Sequence, residues 1–111
     1  MPIFKGPFPL NAENIDAEFL AVSPGNYRVG FKDVGGDFVP YYVGRDDKNL
    51  NKRLKDHADK YHFFVAAYAS TPEIAFKQEC YDYHHLSPKD NVIHPACPAN
   101  TDLKCPYPDL D

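Results

Sequence analysis

The stretch from Tyr41 to His57, YYVGRDDKNLNKRLKDH, leaves this chain little freedom in how it folds. It reads as the end of a β-strand, a tight turn at Gly44, and then a helix. Asp46 or Asp47 can cap that helix, because a short carboxylate accepts the free N–H groups of a first turn. Leu50 and Leu54 lie one turn apart and should face the core. Arg53 and His57 are also one turn apart and flank that apolar stripe. An arginine and a histidine beside a core-facing stripe are costly unless each has a partner. Chemistry is to be sought there first.

A chain of 111 residues makes one domain with a single core. No apolar run approaches membrane-span length, so no membrane partner is expected, and MPIFKGPF lacks the h-region of a secretory signal. Three cysteines, an odd number, favour a reduced compartment over a disulfide framework, which points to the cytoplasm. Only export as a secreted effector would make a Cys97–Cys105 disulfide relevant. The net charge of −4 speaks against a protein that simply coats phosphates. It does not exclude a nuclease, since a bound cation and a local basic strip offset it. Arg45, Lys48, Lys52, Arg53, Lys55 and Lys60 form such a strip, diluted by Asp46, Asp47, Asp56 and Asp59.

Residues 1–24 carry little periodicity. Pro2, Pro7 and Pro9 predict an extended N-terminal arm with Phe4 and Phe8 available to pack on the body, and Asn14–Leu20 suits either a short helix or an edge segment. Asn26–Phe31 alternates, with Tyr27, Val29 and Phe31 on one side, as in a half-buried strand. Gly35-Gly36 marks a turn, and Phe38–Gly44 returns as a second strand whose Pro40 favours an edge or a bulge. A hairpin symmetric about Val34–Gly35 sets Tyr27 opposite Tyr42; a turn centred on the two glycines shifts the register and breaks that pair. His62–Ala69, apolar on both faces, suits a buried third strand. Ser70-Thr71-Pro72-Glu73 announces a helix, with a hydroxyl cap, a proline at the first position and an acid in the first turn. Its apolar face should be Ala75, Phe76, Tyr83 and Leu86, with Glu79 in the middle of it. A lone carboxylate there must protonate or find a cation. The tail 95–111 is proline-rich and should be irregular, fraying at Leu110–Asp111.

A hairpin, a helix bearing Arg and His, a third strand, and a helix bearing a sequestered Glu resemble, in that order, the GIY-YIG endonuclease superfamily. Gly25-Asn26-Tyr27 stands for the first motif and Tyr42-Val43-Gly44 for the second. Arg53 matches the family's helix arginine, His57 a histidine one turn on, Glu79 the metal-binding glutamate and Asn91 the asparagine downstream. The resemblance spans Gly25 to Asn91, within a nuclease core of residues 25–94. Asn26 departs from the usual apolar middle residue, Arg45 stands where a small residue often follows the second motif, and the hairpin is slightly long.

The fold implied is α+β, a small three-stranded, mixed but mainly antiparallel sheet flanked by helices. The activity implied is phosphodiester hydrolysis assisted by one Mg²⁺ or Mn²⁺ held by Glu79, with DNA favoured over RNA as substrate. Arg53 would stabilise charge developing on the phosphate. Tyr27 would assist or deprotonate the attacking water and Tyr42 would position it, His57 would orient a tyrosine or act as acid–base, and Asn91 would brace the site. Arg45, Lys48 and Lys52 would contact phosphates. Specificity would come from loops, tails, a partner or a homodimer. The plainer alternatives are strand aromatics, a surface Arg53–His57 pair, and a Glu79–Arg53 salt bridge in an inactive relic. The same fold also serves as an injected toxin nuclease or as a non-catalytic nucleic-acid- or protein-binding module. A second candidate site joins His94, Cys97 and Cys105, with His84 or His85, as structural zinc ligands; Cys80 reads as helix packing.

Overall fold

The alternating Tyr27, Val29 and Phe31 fall in an interior strand of the sheet, β2 (Gly25–Lys32), in a computed structural model that describes residues 3–107. Leu110–Asp111, where fraying is expected, lie outside the described residues. On one side β2 pairs with β3 (Phe38–Asp46), and on the other with β4 (Phe63–Tyr68). A further strand, β1 (Lys5–Pro9), adds to β4, so the sheet has four strands in the order β1-β4-β2-β3. Every pairing is antiparallel. The expected three-stranded mixed sheet is therefore corrected to a four-stranded antiparallel one within the α+β class. The missed strand is the proline-bearing arm. Pro7 and Pro9 cannot donate to a ladder, but β1 is an edge strand with a register shift between Lys5 and Phe8, where missing donors are tolerated.

The arm also supplies α1 (Ala12–Glu18), capped by the Asn11 side chain, which accepts from the Asn14 N–H. Leu10, Ile15 and Phe19 then join Tyr27, Val29, Phe64 and Ala66 in the core, closed by α2 (Leu50–Asp56) through Leu50 and Leu54, both fully buried. The N-cap of α2 is Asn49, not Asp46 or Asp47 as expected. Asp46 instead accepts the N–H groups of Lys48 and Asn49, bracing the turn before the helix, and Asp47 turns to Arg45. The preceding Gly44 permits a close approach rather than a positive φ. The Tyr27 ring from β2 lies across it, and the phenol fills the space a Cβ would need.

The turn is centred neither on Val34–Gly35 nor between the two glycines, although beyond a bulge the pairs from Gly25 to Val29 fall in the register of the two-glycine turn. Gly36 adopts φ +87°, and the Asp33 carboxylate accepts the N–H groups of Gly35 and Asp37, which centres the turn on Gly35. The register then slips between Val29 and Gly30, opposite Pro40, whose missing N–H marks the bulge. Tyr27 consequently pairs with Gly44, and Tyr42 with Val29, correcting the Tyr27–Tyr42 pairing. The two tyrosines remain on one face as diagonal neighbours, ring centres 6.3 Å apart.

The opposite face carries α3 (Pro72–Leu86), which starts as its sequence dictates: the Thr71 hydroxyl caps the Ile74 N–H and proline opens the first turn. Its buried residues are Ala75, Phe76, Gln78, Cys80 and Asp82, whereas Tyr83 and Leu86 are half-buried. The expected apolar face is thus only half correct, because the sheet surface beneath α3 is itself polar. Asn26 donates to the Ala75 carbonyl at 2.8 Å. Arg28 forms a two-pronged pair with fully buried Asp82, at 3.1 and 2.8 Å, and Gln78 donates to the same carboxylate. Phe4 of the arm lies against the Arg28 guanidinium, 3.9 Å from ring centre to carbon.

Candidate active cleft at the sheet edge

β3 is an edge strand, and its end, the turn before α2 and the middle of α3 enclose a cleft of about 420 Å³. Tyr27, Tyr42, Arg53 and Glu79 all line it, as do Arg45 and Lys48. Residues from β2, β3, α2 and α3, separated by up to 52 positions, thus meet at one opening. Gly44, Asp46, Asp47 and Ala96 complete the wall. His57 stands behind Tyr27, Asn91 stands behind β3, and Lys52 lies on the exposed side of α2.

The Tyr27 hydroxyl lies 2.9 Å from His57 Nε2, and the His57 ring also packs on Tyr42. Burial, then Tyr42, pushes the Tyr27 phenol well above its ordinary value, and burial and Glu79 push Tyr42 up against the opposing pull of Arg53. Burial, with Lys60 and Arg53 adding to it, holds His57 below the usual histidine value. At neutral pH the pair is therefore a protonated phenol beside a neutral imidazole. His57 Nδ1 is buried with no hydrogen-bond partner among the described residues. Gly44→Ala should break this arrangement, since the new methyl must displace the phenol. The overpacking should cost about 1–3 kcal/mol in chemical denaturation and abolish the Tyr27–His57 contact, read from the imidazole resonances of His57.

Glu79 is 12% exposed at its side chain and bonds through Oε1 to Arg45 Nη1. The salt-bridge alternative expected for it, with Arg53, is not the pair that forms. Arg45 projects from β3 to the α3 side, whereas Arg53 comes from α2 on the other side and meets Asp46 at 3.3 Å. Burial raises the Glu79 carboxyl above its ordinary value in spite of Arg45. Arg45 is clasped a second time by Asp47 at 2.8 Å and is only 11% exposed, so it is fixed between two carboxylates rather than extended towards solvent. Arg53 is 47% exposed and has the freer guanidinium. For a divalent cation the cleft presents hard oxygen donors, with Glu79 as its deepest carboxylate. Mg²⁺ and Mn²⁺ prefer such oxygen donors and can be held through a single protein carboxylate.

Asn91 behaves as a substitute strand neighbour. Its side chain accepts from the Val43 N–H at 2.7 Å and donates to the Val43 carbonyl at 2.9 Å, while the Asp90 N–H bonds to Tyr41. It holds the edge of β3 and does not line the cleft.

Away from the cleft, Cys80, His94 and Cys105 bring their ligand atoms within 4.8 Å of one another. Cys97, expected in this cluster, is instead directed to the Thr101 carbonyl at 3.4 Å, and Cys80, expected only to pack, takes its place. His85 stacks on Tyr81, leaving His84 as the histidine facing His94. Cys80 and His84 sit four residues apart on α3, a spacing visible in the sequence but uninformative until the tail folds back. Asp46 as partner of Arg53, Asp47 as partner of Arg45, and the Arg28–Asp82 pair also escaped the sequence reading. Arg28 and Asp82, 54 positions apart, are brought together by the fold alone, whereas Arg45 and Asp47 are two positions apart and their pairing could have been read from the sequence.

No family model, curated protein or solved structure matches this chain. Among the described residues no helix is long and apolar enough to cross a membrane.

Proposed function

We propose that the protein is a small divalent-cation-dependent endonuclease of the GIY-YIG type, acting on DNA in preference to RNA. The observation that carries this reading is the convergence of Tyr27, Tyr42, Arg53 and Glu79 on one cleft. When bound at Glu79, Mg²⁺ or Mn²⁺ would supply Lewis-acid polarisation of the scissile phosphate.

The residues divide the remaining work. Arg53, partly exposed, reaches into the cleft and donates to phosphate oxygens as charge builds on them. Tyr27 is too weak a base by itself, because burial favours its protonated form. His57 resolves that difficulty. Water gives a proton to the Tyr27 oxygen as Tyr27 passes its own to neutral His57 Nε2, the new hydroxide attacks phosphorus, and the P–O3′ bond breaks. The departing oxygen takes a proton from solvent. Tyr42, its ring beside Tyr27, borders the path of the water and the phosphate. Arg45 keeps the Glu79 carboxylate in place, and Asn91 holds β3, on which Tyr42 and Arg45 sit.

The first test is incubation of purified protein with supercoiled plasmid in Mg²⁺, in Mn²⁺ and in EDTA, with single-stranded DNA and RNA in parallel. Metal-dependent nicking is expected. Absence of cleavage of every substrate by folded protein would instead leave a binding module.

The pH profile tests the phenol–imidazole pair. A proton on His57 blocks acceptance from Tyr27, so the rate should fall as pH drops through the His57 pKa in the folded protein. Burial, Lys60 and Arg53 place that pKa below the ordinary value of about 6.5. The acid limb of kcat/KM should therefore lie below pH ~6.5, and His57→Gln should remove the limb and slow the reaction by roughly 10²–10⁴-fold. An acid limb unchanged in His57→Gln would sink the relay.

A further inference from the structure

Where the tail meets α3, Cys80, His94 and Cys105 have the composition and spacing of a metal site made of soft donors, unlike the oxygen donors of the cleft. We propose that Cys80, His84, His94 and Cys105 bind one zinc ion that fastens the irregular tail to α3.

Geometry carries the proposal. Cys80 and His84 project from one face of α3, four residues apart, while His94 and Cys105 come from the tail. Ligand atoms of Cys80, His94 and Cys105 are mutually within 4.8 Å, and His84 Nε2 lies 3.3 Å from His94 Nε2. Two imidazole nitrogens on a tetrahedral zinc, at Zn–N of about 2.0–2.1 Å, are about 3.3–3.4 Å apart. The cysteine sulfurs need to close by at most about an ångström to complete the tetrahedron.

The proton on His94 is already on the side a metal site requires. Its Nδ1 lies 2.9 Å from the Pro95 carbonyl, which can only accept, so Nδ1 carries the hydrogen and Nε2 presents a lone pair towards His84. Two thiols lose their protons to solvent on binding, and the two thiolates neutralise the dication. Two sulfurs and two imidazoles suit zinc, whereas the oxygen donors of the cleft suit magnesium.

The tail has reason to need such a fastening. Residues 87–107 form no helix or strand and carry Pro88, Pro95, Pro98 and Pro106. Beyond the Asp90 and Asn91 bonds to β3, no helix or sheet ladder holds the rest of this segment. Ala96, two residues beyond His94, lines the cleft, so a fixed tail also fixes one wall of it.

The test uses the full chain under reducing conditions, stripped with chelator and titrated with Zn²⁺ alone and with Co²⁺ as a spectroscopic substitute. One zinc per chain, thiolate-to-cobalt charge-transfer absorption, and d–d bands of tetrahedral intensity are expected. Cys105→Ser and His94→Ala should each weaken zinc binding by more than ~100-fold, beyond the usual loss from a residue that only supports a ligand. Cys97→Ser should bind like the parent. His94 is exposed, so His94→Ala tests the site without disturbing the core. Failure to bind zinc, an octahedral cobalt spectrum, or binding unchanged in both variants would overturn the proposal. A Cys80–Cys105 disulfide in protein isolated with thiols protected would overturn it too.

Discussion

Glu79→Gln is expected to remove metal-dependent nicking of supercoiled plasmid while leaving the protein folded. The amide keeps an oxygen for Arg45 to bond, and Arg45 retains Asp47, so the hydrogen bonds that hold Arg45 in the cleft wall survive. Only the negative charge proposed to hold the cation is lost. A residue that merely supports a metal ligand is worth about 10–100-fold, and removal of the ligand itself should exceed that. Arg53→Ala should reduce kcat by about 10²–10³-fold, the effect of deleting one donor aimed at developing charge. Its partner Asp46 keeps the N–H groups of Lys48 and Asn49, so folding should be little affected. Nicking that persists in Glu79→Gln under excess EDTA would mean a contaminant or a site elsewhere. If Arg53→Ala cleaves as well as the parent, the arginine is a surface residue paired with Asp46 and nothing more.

Arg28→Met is expected to be the most destabilising single change outside the apolar core. Asp82 is fully buried, and removal of the guanidinium leaves its carboxylate with the Gln78 amide as its remaining partner. Removal of one partner of a buried pair costs about 3–5 kcal/mol, because the remaining charge keeps its desolvation penalty. For a chain of this length that corresponds to a fall in Tm of roughly 10–25 °C. The double variant Arg28→Met with Asp82→Leu should recover much of the loss, since an apolar pair of similar volume avoids that penalty. Thermal unfolding of the two single variants and the double closes the cycle. A fall in Tm of only a degree or two in Arg28→Met would show that water reaches Asp82.

Several local signals were legible within one turn or one strand, although the cap of α2 was not, since Asn49 rather than Asp46 or Asp47 takes it. The Thr71-Pro72-Glu73 start of α3, the alternation around Tyr27 and the core-facing Leu50 and Leu54 all follow from periodicity and capping. The α+β class followed from their order. β1 was hidden because prolines read as breakers, and only its place at the edge of the sheet makes them harmless. The Tyr27 register was hidden because a bulge at Pro40 shifts one strand by a residue, and the choice between turns is settled by packing.

For the candidate site, the sequence by itself supplied the chemical groups: two tyrosines, an arginine, a histidine, and a glutamate on a helix face that the sequence reads as apolar. Residue type and helical spacing are local properties and need no fold to be read. The tertiary structure alone decided the partners. Arg45 rather than Arg53 meets Glu79 because strand alternation sends Arg45 to the α3 face, and Cys80 rather than Cys97 meets Cys105 because the tail returns along that helix. Charge pairing and metal ligation act over a few ångströms in space, and that distance is set by how strands and helices stack, not by separation along the chain.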